Sequence, residues 1–567
     1  MCPSCSPNPI RYLLDRQRAC AEALCRGGTF HKLVVEPVFE LIDTLRHSKA
    51  RSHQRMLFNS FPFLFGFLPI VLVGFHLFGR FGKVVALSWL SASSLVFYGY
   101  WNKSLLLLLL GSILLNFAAA QAIVRTASRA SWQRAFLWMG VVGNIGLLCY
   151  YKYWFPLLNS LGSLAHPQRY LGSVVLPLGI SFFTLTQIAY LVDLQQGEAT
   201  PLNLLDHVFF VSFFPHLIAG PIVHHRDFMP QVNNSPAFRL DSRDLAVGST
   251  WFIMGLFKKV VIADQIAAAA DFLFASPQHQ PAVRVWCGIL SYAAQLYFDF
   301  SGYSDMAIGL ARMFSLRFPL NFNSPYKARN IIDFWQRWHM TLTNFLMLYI
   351  YNPLALAVNR RRLAAGLPIG RPAVLTADGF LRIIAFPTLA TMLVAGVWHG
   401  AGRQFLAFGL LHGIFICINH AWRIFSPKRA TAFFPAGLRA FSSVTVTFLA
   451  VLSAQVFFRA DSSEDAFTVL AGAVGLHGLG SLPNTAVTLW PWLALIAVFS
   501  IILGLPNTQE VLARYADHDS AVPRRQRAFS RLLQWQPSWS WSLLLGAAFF
   551  ASFVLLKTAS RFLYFQF

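Results

Sequence analysis

Two short stretches hold residue types that could do chemistry. Val397–Gly402 reads V-W-H-G-A-G and sets His399 between Trp398 and the small residues Gly400, Ala401 and Gly402. Phe334–Leu342 reads F-W-Q-R-W-H-M-T-L and supplies Arg337 and His339, with Asp333 just ahead of it. The first stretch lies between two apolar runs, Ile383–Val397 and Phe405–Trp422, each long enough to enter a membrane as a helix. An ionisable side chain in such a run is costly to keep and marks function by default; the alternative is a histidine packed and satisfied in a helix bundle. An imidazole near neutrality suits the role of base toward an incoming hydroxyl. A dry site favours its neutral form. His412, one helical segment on, is a candidate support for His399. Arg337 could pair with a neighbouring carboxylate such as Asp333.

Such groups need elements to hold them, and composition says what those are. The chain has 567 residues, 56% hydrophobic and 12% charged, with a mean hydropathy of +0.51. Soluble domains carry about twice that charged fraction. Runs of about 20 apolar residues recur from Leu57 to Leu556, and counting them predicts roughly eleven to fourteen membrane-entering helices. The fold class is therefore an all-α polytopic membrane protein, since helices satisfy their own backbone groups in lipid. The long, non-alternating runs exclude a β-barrel. The net charge of +23 resides in short loops between apolar runs, which points to orientation in a bilayer rather than to nucleic acid. Seven cysteines give no disulfide framework. Cys149, Cys287 and Cys417 read as core thiols. Cys2, Cys5, Cys20 and Cys25 lack the spacing that completes a zinc site, so no metal is expected.

Residues 1–55 differ from the rest. They are mixed in charge and lack a span or a signal-peptide core, so they read as an N-terminal extension. Met56 opens the first apolar run of a domain covering 56–567, and translation starting there is one reading. Tyr150–Trp154 reads as an interfacial aromatic belt with a snorkelling Lys152. Leu176–Asp193 carries Ser181, Thr184, Thr186, Gln187 and Tyr190 inside an apolar run, a pattern of helix-packing glue. Phe213–Gln231 contains Pro215, Gly220 and Pro221, which break a helix. Irregular backbone at membrane depth is tolerated only inside protein or along a cavity. His216, His224 and His225 beside that break read as structural or interfacial. Lys258 and Lys259 in mid-run suggest a helix lying in the interface. Tyr297, Asp299 and Asp305 read as organisers of helices rather than as chemistry.

Taken in order, Met56–Pro69, Leu176–Asp193, Phe213–Gln231, Tyr297–Gly309, Phe334–Leu342, Val397–Gly413 and Val456–Ala460 resemble the membrane-bound O-acyltransferase family. The likeness is to the branch of alginate and peptidoglycan O-acetyltransferases and D-alanyl transfer proteins, and covers about residues 56 to 510. No single block would suffice. The resemblance implies interfacial and re-entrant helices around a central acyl-transfer tunnel. It implies a cytosolic thioester donor, acetyl-CoA or an acylated carrier protein, with no bound cofactor. The acyl group, acetyl by this likeness, would pass to a periplasmic polysaccharide acceptor through a periplasmic partner protein. The setting would be a bacterial inner membrane. The family's invariant histidine matches His399, and its second polar block matches Arg337 and His339. His399 and His339 are then the catalytic candidates, His399 as base or as acylated residue and His339, or Arg337, to steady the developing oxyanion. Arg337, Asp333, Trp398, Gly400, Gly402 and His412 would line the tunnel or support them, with the two glycines allowing close approach of substrate. The chain departs from the pattern at Gln336, at Arg403 and over Tyr351–Arg362, which leaves the acyl group and acceptor open. D-alanyl transfer from a carrier protein is one alternative. A transporter using midplane polar groups is another, although no internal repeat supports it. A haem protein with histidine axial ligands is a third.

Charge sets an expected orientation. Asn359–Arg382 and Arg423–Arg439 are basic, so both should face the cytoplasm. The hairpin between them would turn at W-H-G-A-G. Its outgoing run of 15 residues spans about 22 Å against a hydrocarbon core of about 30 Å. The turn should stop inside the bilayer, past its midplane, in a cavity open to the outer face.

Overall fold

The computed structural model describes residues 56–154, 176–233, 241–426, 435–481, 485–515, 533–556 and 563. The expectations for residues 1–55 lie outside them, as does part of the basic loop after Arg423. Among the described residues all regular structure is helical. Eight helices are long and apolar enough to cross a membrane. In chain order they are α1 (Pro62–Phe81), α2 (Lys83–Trp101), α3 (Lys103–Arg125), α7 (Ser242–Ala275), α9 (Met340–Ala364), α10 (Ala377–His399), α11 (Arg403–Phe425) and α12 (Ala436–Arg459). Among them lie α4 (Ala130–Cys149), α5 (Ile180–Gln196), α6 (Leu204–Ser212) and α8 (Ala282–Met313), and α13 (Ala486–Gly504) and α14 (Trp539–Val554) follow. Several apolar runs are thus spent on short or enclosed helices, which is why eight spans emerge where run counting predicts more.

The centre of the described residues is α8. Every residue from Ser291 to Met313 is buried, so this helix meets protein on all sides. Its closest neighbour is α7. Gly255 faces Gly302 and, seven residues along each helix, Gly248 faces Gly309; a Cβ on any of the four would run into the opposite backbone. Small residues at a membrane helix crossing let the backbones touch. Ion pairs close the same interface. Lys258 Nζ lies 2.6 Å from Asp305 and 2.7 Å from Thr508 Oγ1. Lys259 pairs with Asp299 and Asp264, and Arg312 with Asp244 at 2.8 Å. This corrects the interfacial reading of Lys258 and Lys259: Lys259 is buried, and both face partner carboxylates rather than water. Asp299 and Asp305 organise helices, as expected.

The helix break is also as expected. After α6 only Phe214–Leu217 is helical before His225, and every residue from Val211 to His225 is buried. Its histidines are packing and network groups. The His216 ring meets Phe318 edge-on at 5.6 Å, and the His225 ring packs 5.1 Å from Tyr190. His224 Nδ1 lies 3.2 Å from the Tyr349 hydroxyl, which donates to Asp193 at 2.6 Å.

Candidate active site

Three histidines from three parts of the chain line one cavity. They are His339, His399 and His412, with Leu296 and Phe300 of α8, Phe334, Trp335 and Trp338, Phe408 of α11, and Gln455 and Phe458 of α12. All three histidines are buried.

His399 is the last residue of α10, because Gly400 after it takes an extended conformation that ends the helix. The buried positions Thr388, Thr391, Met392, Ala395, Gly396, Trp398 and His399 form one face, at the spacing of an inward-facing stripe. That face meets α11 at a second glycine crossing, Gly396 against Gly409, whose Cα lies 3.2 Å from where a Gly396 Cβ would stand. The buried residues of α11, Phe405, Phe408, Gly409, His412 and Gly413, repeat at three and four and so bring His412 to the cavity. The His399 ring is held edge-on by Phe458 at 5.0 Å, Phe408 at 5.7 Å and Trp398 at 4.8 Å.

His339 caps α9 in the left-handed region, at φ 42°. A bulky residue there is strained, and such strain is found at functional sites. Asn321 holds it. The Asn321 amide donates to Ser304 Oγ at 3.0 Å, and its oxygen accepts from Thr341 Oγ1 at 2.9 Å. The same oxygen lies 3.0 Å from His339 Nδ1. An amide oxygen only accepts, so His339 carries its proton on Nδ1 and its lone pair on Nε2. His412 is the opposite. Trp335 Nε1, which only donates, points at His412 Nδ1 over 3.2 Å, so the His412 proton sits on Nε2. The Phe334 ring lies parallel to His412 at 5°. The cavity therefore holds an acceptor imidazole, His339, and a donor imidazole, His412.

The other candidates fall nearby. Trp398 packs against Phe182 and both His339 and His399. Arg337 is in an ion pair with Asp333 at 2.6 Å and donates to the Asn323 carbonyl at 3.3 Å; neither Arg337 nor Asp333 is among the cavity-lining residues. At Gly400 the space a Cβ would need is filled by the Phe405 ring, and at Gly402 by the Gln404 side chain. The two glycines thus admit protein side chains. Asn321, Trp335, Gln455 and Phe458 were not singled out by sequence reasoning. Val456–Ala460 marked the segment of Phe458 and Phe334–Leu342 that of Trp335, but nothing local marked Asn321 or Gln455. Among the described residues no group of His, Cys, Asp and Glu is arranged to hold a metal ion.

Comparison with known proteins shows which family the chain belongs to. The model of MBOAT, the membrane-bound O-acyltransferase family, matches residues 72–367. The chain is 40% identical to the peptidoglycan O-acetyltransferase of Helicobacter pylori over 75% of its own length and 81% of that protein. It belongs to the membrane-bound O-acyltransferase family. It is also 34% identical to a probable alginate O-acetylase of Pseudomonas aeruginosa, over 90% of this chain and all of that one. Similarity to the teichoic acid D-alanyltransferase of Bacillus subtilis is 27% over 45% of this chain and 62% of that protein. The chain is thus a multi-pass membrane enzyme that transfers acyl groups, in place of the transporter and haem alternatives. The family-model match ends before His399, so the roles within the cavity rest on the geometry.

Proposed function

We propose that this acyltransferase moves an acetyl group from a cytosolic thioester, acetyl-CoA, across a bacterial inner membrane to an envelope polysaccharide, by way of a periplasmic partner protein. The observation that carries it is the cavity itself, three buried histidines among aromatic rings at the end of an apolar hairpin. Acetyl is favoured over D-alanyl because the acetylating relatives align over most of the chain, whereas the D-alanyl relative aligns over less than half of it.

His399 acts as the base. It takes the proton of the acceptor hydroxyl as the oxygen attacks the thioester carbonyl. The C–O bond forms, the C–S bond breaks, and the proton leaves with the thiol. His412, with its proton on Nε2, supplies a donor to the oxyanion. His339, locked by Asn321, supplies an acceptor that orients the incoming hydroxyl. The aromatic walls exclude water, which would otherwise hydrolyse the thioester. Arg337, bound to Asp333, holds the loop that carries Trp335, Trp338 and His339.

Ester-linked acetate on envelope polymers of a strain lacking this protein tests the reading. The acetate should disappear from one polymer and return on complementation. Unchanged acetate, with altered acylation of lipid or protein instead, would overturn it.

A further inference from the structure

Lys152 stands where a snorkelling side chain is expected, yet it does not snorkel. It lies in a π-helical turn, Tyr150–Trp154, that ends α4, and it is 9% exposed. Its ammonium donates to the carbonyl of Trp398, and the Tyr153 hydroxyl donates to the carbonyl of Val397. Its Nζ also lies 5.8 Å from the centre of the Trp398 ring. Among the described residues no carboxylate pairs with it. A buried cation without an acid is expensive, so what it does touch matters. It touches the last turn of α10. The final carbonyls of a helix have no partner within it, and they form the negative end of the helix dipole. A lysine is matched to that end by donor and by charge. The next side chain along is His399.

We propose that Lys152 is a positioning residue for His399. Its ammonium, with Tyr153, clamps the carbonyls of Val397 and Trp398, and this fixes the direction in which the His399 imidazole leaves the helix. An aromatic cavity offers the ring several packings, and the clamp selects one. The inference rests on the reading that His399 performs the transfer.

The test uses full-length protein in membrane vesicles with acetyl-CoA as donor. Wild type, Lys152→Met, Lys152→Gln and His399→Ala are compared at equal folded amounts. A displaced base slows the chemical step and leaves substrate binding alone, so Lys152→Met should lower kcat by about 100-fold and change KM by less than about threefold. Lys152→Gln keeps a donor but loses the charge, and charged donors bind about twice as strongly, so it should recover only part of the loss, to about a tenth of the wild-type kcat. A kcat within twofold of wild type in Lys152→Gln overturns the proposal, whether or not Lys152→Met accumulates. So does a loss in Lys152→Met that falls on KM. If His399→Ala is inactive while both lysine variants are normal, the clamp alone fails. If His399→Ala is active, the reading beneath it fails.

Discussion

The two tautomers in the cavity come from partners that leave no choice. An indole cannot accept, and an amide oxygen cannot donate. Trp335→Phe keeps the ring against His412 and removes the one N–H that fixes its proton on Nε2. Losing that hydrogen bond costs about 1–1.5 kcal/mol in orientation, or about tenfold in rate. The expected result is a kcat about one tenth of wild type, with unchanged membrane levels. Wild-type turnover would mean that the tautomer of His412 is irrelevant. His399 and His339 were legible in the sequence because histidine is conspicuous in an apolar run. Asn321 was not, since an asparagine beside a loop is ordinary until the fold brings His339 to it.

At the level of elements, the α7–α8 pair carries the centre. Its two glycine crossings and its buried ion pairs belong to one interface. Asp305→Ala leaves the Lys258 ammonium, 13% exposed, facing only Thr508, and orphaning a largely enclosed charge costs up to about 3 kcal/mol. The denaturation midpoint in detergent should fall accordingly. Adding Lys258→Met removes the orphan and should restore most of the loss. If the double variant is no better than the single, the pair is not what the interface depends on. The sequence misled at Lys258 and Lys259 for a physical reason. Two lysines in an apolar run look interfacial unless their acids are known to be near, and Asp299 and Asp305 lie some forty to fifty residues away. Both the Lys258–Ala263 segment and the Tyr150–Trp154 segment are π-helical. Such a turn rotates the side chains that follow, and no residue type in either segment announces it.

For the whole molecule, run lengths and ordered polar blocks were enough for the class and family, because both depend on spacing along the chain. Partners 246 residues apart, such as Lys152 and Trp398, were beyond reach. The outgoing helix of the hairpin also starts earlier than its apolar run. α10 has 23 residues, about 34 Å at 1.5 Å each. Its first turn is charged, with Asp378 bridging Arg362 and Arg382 at 2.6 and 2.5 Å. We propose, from the basic loops and the apolar part beginning at Ile383, that the W-H-G-A-G turn lies toward the outer face. A cysteine at Gly402 in a Cys-free background should react with a small reagent from outside and resist a bulky one, whereas labelling only from the cytoplasm would show the hairpin to be inverted. The proposed role of His399 in acyl transfer is open to a direct assay, in which labelled acetyl-CoA is supplied to the cytoplasmic face of vesicles and label is measured on the envelope acceptor. Wild type should transfer label, and His399→Ala, at equal membrane level, should transfer less than about a hundredth as much. Equal labelling by the two would contradict the account.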